Sequence, residues 1–367
     1  MRKLTIILFV ILVFTLSVSA LDQARGAVVM EPDAGRILYQ SNADEPLGIA
    51  STTKIMTALI TLEQPDIDTP FEVDAAAIRV EGSSMGLKEG DIVTLRTLAW
   101  GMLMHSGNDA ANAAAVAIAG DTARFAELMN ERANQIGMAS THFVNPSGLS
   151  EAEHYATARD MALLTAEALR NPDFREMCAT KTVSVEYGNP PYKRFLLNHN
   201  RLLWRYEYAI GVKTGFTKAA GRCLVSAAEK EGVTLICVTL GCYDDFTTHE
   251  KAYETYFQSF GRVDFTPEVS GLTVPVVGGE AGGVALVTSG PLEASLMVGE
   301  QDGCRVIVEA PRFIYAPITA GEVVGRAAVY YEGIAVAECD LVAADTVAAT
   351  PVEPSLWEHL FGNKETA

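Results

Sequence analysis

The texture of this chain changes once, between Arg262 and Pro267, and no single fold accommodates both sides of the change. Before it, segments of helical periodicity lie between strands. Residues 26–40 read as two short strands around the turn Asp33-Ala34-Gly35. Ser51 to Glu63 places Ile55, Met56, Leu59, Ile60 and Leu62 at helical spacing. Leu95–Ala119, Thr122–Ile136 and Ala158–Leu169 are also helical in pattern. Val183–Tyr187 and Ile210–Phe216 read as strands. Cys223–Ala228 and Thr234–Leu240 form a hairpin closed near Glu229–Gly232, and Glu250–Ser259 reads as a closing helix. Strands at both ends with helices between them predict an α+β domain whose terminal strands share one antiparallel sheet. After Phe265, Gly and Val dominate. Turn signals recur at Gly278-Gly279, Gly282-Gly283, Ser289-Gly290-Pro291 and Asp302-Gly303, which predicts a small all-β sandwich of about 80 residues.

The remaining segments are an address and a tail. Arg2 and Lys3 precede an apolar run from Leu4 to Leu16, and Val18-Ser19-Ala20 follows. That pattern is a secretory signal peptide cut after Ala20, too short for the roughly 20 residues of a spanning helix. The expected organisation is signal peptide 1–20, α+β domain 21–262, β-rich domain 263–345, and linker with short tail 346–367. The protein is expected to be exported to the extracytoplasmic cell envelope, secreted or peripherally membrane-associated.

Charge narrows the partners. The 367 residues carry a net charge of −18, with 28 Lys+Arg against 46 Asp+Glu. Acidity of this size excludes nucleic acid, whose phosphates demand clustered cations. From Val263 onward there are 15 acidic and 4 basic residues, so the excess sits mainly in the last third. In the tail, Leu356, Trp357, Leu360 and Phe361 make a short apolar face with Lys364 as its one cation. That gives at most weak peripheral membrane contact.

Six cysteines in an exported chain raise the question of disulfides. Pairing residue 228 with 233 sets 224 against 237, which sends Cys223 and Cys237 to opposite sheet faces and forbids a bridge between them. A chain of this length needs no staples, so buried free thiols are expected. The six histidines form no H-E-x-x-H or H-x-H cluster, so no metal site is expected, and no cofactor motif is present. His105 is read as structural.

Chemistry resides in three short motifs, in order: Ser51-Thr52-Thr53-Lys54, Ser106-Gly107-Asn108 and Lys213-Thr214-Gly215. Each is common alone; an S-x-x-K arises about once by chance in such a chain. Together and in this order they are specific. A serine hydroxyl is a poor nucleophile until a base takes its proton. Ser51 and Lys54, three apart at a helix start, share a face. Lys54 can act as that base only if burial or a neighbouring cation lowers its pKa, and Lys213 can supply the charge. Ser106 is expected to relay a proton to the leaving group and Asn108 to position Lys54. The strand at Lys213-Thr214-Gly215 is expected to receive an extended peptide, with Gly215 leaving room for it. The backbone N–H groups of Ser51 and Phe216 would form an oxyanion hole.

These motifs resemble those of the low-molecular-mass penicillin-binding proteins that act as serine D-alanyl-D-alanine carboxypeptidases. The likeness extends to Ile49–Thr57, Leu103–Ala110, Asn145–Leu149, His154–Asp160, Asn198–Leu203 and Gly211–Thr217, and covers residues 25 to 262. The β-rich segment is similar to the C-terminal domain that many of these enzymes carry. The resemblance implies a DD-peptidase/β-lactamase-like fold and attack by Ser51 on the D-alanyl-D-alanine bond of a peptidoglycan stem pentapeptide. It also implies covalent inhibition by β-lactam antibiotics. The pattern departs at three places: Gly107 replaces Asp in the middle motif, Phe216 stands where several relatives place His after K-T-G, and Gly241–His249 lacks the arginine that some relatives carry there. Carboxylate recognition is therefore assigned to Thr214, with Thr217 and Arg201. A class A-like β-lactamase, or an inactive envelope-binding module retaining the fold, are the alternatives. The first lacks its E-x-x-L-N stretch here, and the intact motif set argues against the second.

Overall fold

The computed structural model describes residues 21–351, so the leader reading and the membrane-contact reading of the tail fall outside the described residues. Two units are present, with the break between Ser259 and Phe260.

In the first unit, β1 (Gly26–Glu31) and β2 (Arg36–Ser41) form a hairpin whose turn is completed by Gly35 at φ +66°. A single 3₁₀ turn, Ala50–Thr53, leads into α1 (Lys54–Leu62). All nine residues of α1 are buried, as expected for a central helix whose polar members are threonines and one lysine. Those threonines are satisfied internally: Thr57 Oγ1 donates to the Pro146 carbonyl and Thr61 Oγ1 to that of Thr57. The two-residue strands β3 (Phe71–Glu72) and β4 (Ile92–Val93) pair with each other, antiparallel.

The helices α2 (Leu95–His105), α3 (Asn108–Ala119), α4 (Thr122–Ile136), α5 (Ala158–Leu169) and α6 (Pro172–Ala179) follow. Four of the five start at side-chain caps; α3 instead follows Gly107 with no side-chain cap. Thr94 accepts from Thr97 N, Asp121 from Arg124 N, Thr157 from Asp160 N, and Asn171 from Phe174 N with Pro172 in the first turn. The hairpin β5 (Thr182–Gly188) and β6 (Pro191–Leu197) and the short helix α7 (Leu202–Arg205) lead to β7 (Ala209–Thr217), β8 (Gly221–Lys230) and β9 (Val233–Leu240). The last helix, α8, spans Asp245–Phe257. It starts earlier than periodicity suggested because its first turn is polar.

The five strands of the main sheet run β2-β1-β9-β8-β7, so N-terminal β1 pairs antiparallel with C-terminal β9. This is the shared sheet expected from the sequence, and β7 forms its edge. The β8–β9 turn is tighter than expected. Lys230 pairs with Val233 across Glu231 (φ +52°) and Gly232 (φ +77°), both in the left-handed region a two-residue hairpin requires. The register therefore moves by two, which preserves faces: Cys223 sits opposite Leu240 and Cys237 opposite Ser226, on opposite sides of the sheet. All six cysteines are free. Cys304 and Cys339 are only half-buried, a correction to the expectation of burial throughout.

The second unit opens with β10 (Phe260–Asp264), which pairs with β13. Residues 260–262 therefore belong to this unit, not to the first. It continues through β11 (Thr273–Val277), β12 (Gly283–Thr288), β13 (Glu293–Met297), β14 (Arg305–Glu309), β15 (Ile314–Tyr315), β16 (Val323–Tyr331) and β17 (Ile334–Ala343). Six of these form one sheet in the order β14-β16-β17-β12-β11-β15. The linker reading of 346–350 is corrected. Val347 is buried and exchanges two backbone hydrogen bonds with Ile318, and Thr350 N donates to the Gly278 carbonyl. Two turns fasten this segment, and composition alone does not reveal such pairing. Among the described residues no helix is long and apolar enough to cross a membrane, and no group of His, Cys, Asp or Glu could hold a metal ion.

Candidate active site

The first motif sits where the 3₁₀ turn hands over to α1. Ala50, just before Ser51, has φ +48°, and Ser106 in the second motif has φ +58°. Non-glycine residues in that region cost of order 1–3 kcal/mol each and persist where packing over-determines them. The packing here comes from the loop Asn145-Pro146-Ser147-Gly148. Gly148 has φ +81°, and a Cβ there would lie 2.0 Å from the Ala50 carbonyl oxygen and 2.7 Å from Thr53 Oγ1. Thr53 Oγ1 donates to the Ala50 carbonyl and lies 2.8 Å from His154 Nε2. His154 Nδ1 accepts from Val144 N, so the ring proton belongs on Nε2 and points at Thr53. Burial, then the charges of His142 and Lys54, push this histidine down to about 4, which keeps it neutral.

Lys54 is the centre of the arrangement and is fully buried. Its Nζ lies 3.2 Å from Ser51 Oγ, 2.7 Å from Asn108 Oδ1 and 2.5 Å from the Ser147 carbonyl oxygen. Asn108 is held in the matching orientation, because its Nδ2 donates to the Glu81 carbonyl at 2.6 Å. Burial first, and the positive charge of Lys213 second, hold the Lys54 pKa well below the ordinary lysine range; Asp109 opposes them. In the neutral amine two N–H groups face two acceptors that cannot donate, and the lone pair is left for the Ser51 hydroxyl.

Lys213 is also buried, with Nζ donating to the Thr214 carbonyl at 2.9 Å, and burial pushes its pKa down to about 7. Folding therefore sheds a proton between that value and the ordinary lysine range. Wild-type stability should rise with pH across this window, since the unfolded chain binds more protons there. Lys213→Met should be more stable than wild type by on the order of 2 kcal/mol near pH 6, and the gap should shrink above pH 7 as both states become neutral. Urea melts from pH 6 to 10 measure this, and a gap that stays constant or widens would count against it.

Around these groups lies an open cleft of about 860 Å³, lined by Ser51, Ser83 and Ser106, by Leu197–His199, Arg201 and Trp204, by Thr214–Phe216, and by Arg222, Asp245 and Phe246. The loop carrying Ser83 is clamped by Asp109, whose carboxylate accepts from the backbone N–H of Met85, Gly86 and Leu87 and from Ser84 Oγ. Gly107 explains one departure in the motif: a Cβ there would lie 2.8 Å from Asp109 Oδ1 and 3.1 Å from Met85 N, so the clamp leaves no room for a side chain. On the opposite wall, Gly215 packs against the nucleophile turn, where a Cβ would meet Ser51 N and Thr52 N at 3.1 Å.

The three motifs thus converge from α1, the α2–α3 junction and β7. Ser51, Ser106, Thr214, Gly215, Phe216 and Arg201 face the cleft, while Lys54, Asn108 and Lys213 are buried. Thr217 does not line it. Its Oγ1 accepts from Ser150 Oγ and from Ala220 N, which spends the hydroxyl on the turn into β8. His105 stacks on His199 at 5.4 Å, and its Nε2 accepts from Leu197 N. Sequence reasoning missed the Ser147 carbonyl, His199, Trp204, Arg222 and Asp245. The first is a backbone atom, and the last two reach the cleft only through the β7–β8 register and the start of α8.

Fold and site together define a serine peptidase with a lysine partner. Residues 15–244 match the peptidase S11 family model, D-alanyl-D-alanine carboxypeptidase, and residues 268–349 match the C-terminal domain of penicillin-binding protein 5. The chain belongs to the S11 D-alanyl-D-alanine carboxypeptidase family of penicillin-binding proteins. It is 30% identical over 331 residues to the D-alanyl-D-alanine carboxypeptidase DacF of Bacillus subtilis, covering 88% of this chain and 85% of that one. Penicillin-binding protein 5 of Haemophilus influenzae is similar in structure, with a TM-score of 0.66 at 28% identity over 89% of this chain and 98% of that one. Penicillin-binding protein 3 of Streptococcus pneumoniae, at 22% identity, shares the fold with a TM-score of 0.78 over 88% and 99%.

Proposed function

We propose that this protein removes the terminal D-alanine from peptidoglycan stem pentapeptides at the extracytoplasmic face of the cell envelope, through an acyl-enzyme on Ser51. The observation that carries the reading is the buried Lys54 amine, whose neighbours other than Ser51 are acceptors. Neutral Lys54 takes the Ser51 proton as Oγ attacks the carbonyl of the penultimate D-alanine. The backbone N–H groups of Ser51 and Phe216 receive the oxyanion. Ser106 gives its hydroxyl proton to the leaving D-alanine amine and takes one back from the Lys54 ammonium, which returns Lys54 to the neutral form. Water then hydrolyses the ester and restores Ser51. The substrate backbone lies along the free edge of β7, with Thr214 at its C-terminal end.

β-Lactams acylate the same serine. A β-lactamase reading is disfavoured because the one carboxylate lining the cleft, among the described residues, is Asp245, and it is paired with Arg222. The test is D-alanine release from diacetyl-L-Lys-D-Ala-D-Ala by the purified protein. Release together with stoichiometric, slowly reversed labelling by fluorescent penicillin supports the reading. Rapid nitrocefin turnover would replace it with the β-lactamase, and no release would leave a binding module.

A further inference from the structure

A carboxypeptidase must recognise a chain end, and a substrate carboxylate entering a partly desolvated cleft needs a fixed cation. Two arginines line the cleft, Arg201 and Arg222. They differ in how they are held. Arg201 precedes the four-residue helix α7, is exposed, and its guanidinium has no hydrogen-bond partner among the described residues. Arg222 stands on β8 directly opposite Phe216 of β7. Strand alternation puts Arg222, Phe216 and Thr214 on one face of the sheet.

The Arg222 guanidinium is anchored from behind. Its Nη2 donates to Asp245 Oδ1 at 2.7 Å. Asp245 is almost fully buried at the start of α8, and its Oδ1 also accepts from Phe246 N. The guanidinium carbon sits 5.5 Å from the Phe246 ring centroid. The Nε N–H is buried with no partner, and the side chain is 41% exposed. With Nη2 on Asp245 and Nε buried, the exposed remainder of the guanidinium is what faces the cleft. A planar fork with one tooth on Asp245 still offers donors suited to a carboxylate.

We propose that Arg222 binds the α-carboxylate of the substrate's terminal D-alanine, beside the Thr214 hydroxyl, with Asp245 as the positioning residue. This rests on the carboxypeptidase reading. It makes Arg222 a determinant of specificity for a free chain end, a role the sequence reading gave to Thr214, Thr217 and Arg201.

The experiment compares diacetyl-L-Lys-D-Ala-D-Ala with its C-terminal amide in the full chain. Wild type should prefer the acid. Arg222→Ala should lower kcat/KM on the acid by about 30-fold while changing the amide by less than about threefold, so that the preference collapses. Arg222→Lys should recover part of the loss. Asp245→Asn should raise KM for the acid more than it lowers kcat. Stoichiometric fluorescent-penicillin labelling at long times shows that each variant is folded. Equal losses on acid and amide would mean a structural role and overturn the proposal, as would a preserved preference or a collapse produced by Arg201→Ala instead. No release of D-alanine by wild type would overturn the carboxypeptidase reading and this proposal together. Release with an intact preference in Arg222→Ala would overturn the proposal alone.

Discussion

Ser51→Ala should leave a folded protein that is not labelled by fluorescent penicillin and that releases D-alanine more slowly by a factor on the order of 10³ or greater. Two other serine hydroxyls, Ser83 and Ser106, line the same cleft. What separates Ser51 from them is contact with an amine held below the ordinary lysine range. Without such a base a serine hydroxyl hardly ionises near neutral pH. Stability should change little, since the Ser51 side chain is half-buried and bonds to Lys54. Intact-mass spectrometry after β-lactam treatment makes the measurement. An adduct that persists in Ser51→Ala, mapped to Ser83 or Ser106, would move the nucleophile.

Lys54→Gln and Lys54→Arg should each slow acylation by about 10²–10⁴-fold, the usual contribution of a positioned general base. The pair of variants separates two roles. If Lys54 served only as a positive charge, Arg would retain most of the activity. An arginine stays protonated, so it cannot take the serine proton. The pH profile adds a second readout. In wild type, acylation should climb as pH rises through the lowered Lys54 pKa, because only the neutral amine accepts a proton. Both variants should lose that rise. Stopped-flow acylation from pH 5 to 9 tests this, and a Lys54→Arg enzyme near wild-type rate would sink the base assignment. Gln also leaves the buried Ser147 carbonyl and Asn108 Oδ1 with one amide donor group between them, so some loss of stability is expected in that variant.

The three motifs were legible because each is local. A serine and a lysine three apart on a helix share a face whatever surrounds them, and the sequence order identified the set. The α+β pattern, the β-rich second unit and the separation of Cys223 from Cys237 were legible too, since periods of 3.6 and 2 are written along the chain. The α6 helix and the β5–β6 hairpin were not fully read, since Asn189-Pro190 and an exposed, mixed-polarity β6 mask the alternation. The start of α8 was missed because Asp244 and Asp245 look like loop residues.

Residue identity and spacing set the chemistry available and the faces on which it sits, because covalent spacing and strand alternation are short-range rules. What those groups become depends on long-range packing. Burial and the nearness of Lys213 turn Lys54 from a solvated cation into a candidate base, and the Ser147 carbonyl, 93 residues away, completes its shell. The β7–β8 register and the Asp245 anchor bring Arg222 into the cleft while the turn takes Thr217 out of it. Desolvation and charge proximity depend on which distant segments pack together, and no local pattern in one chain encodes that.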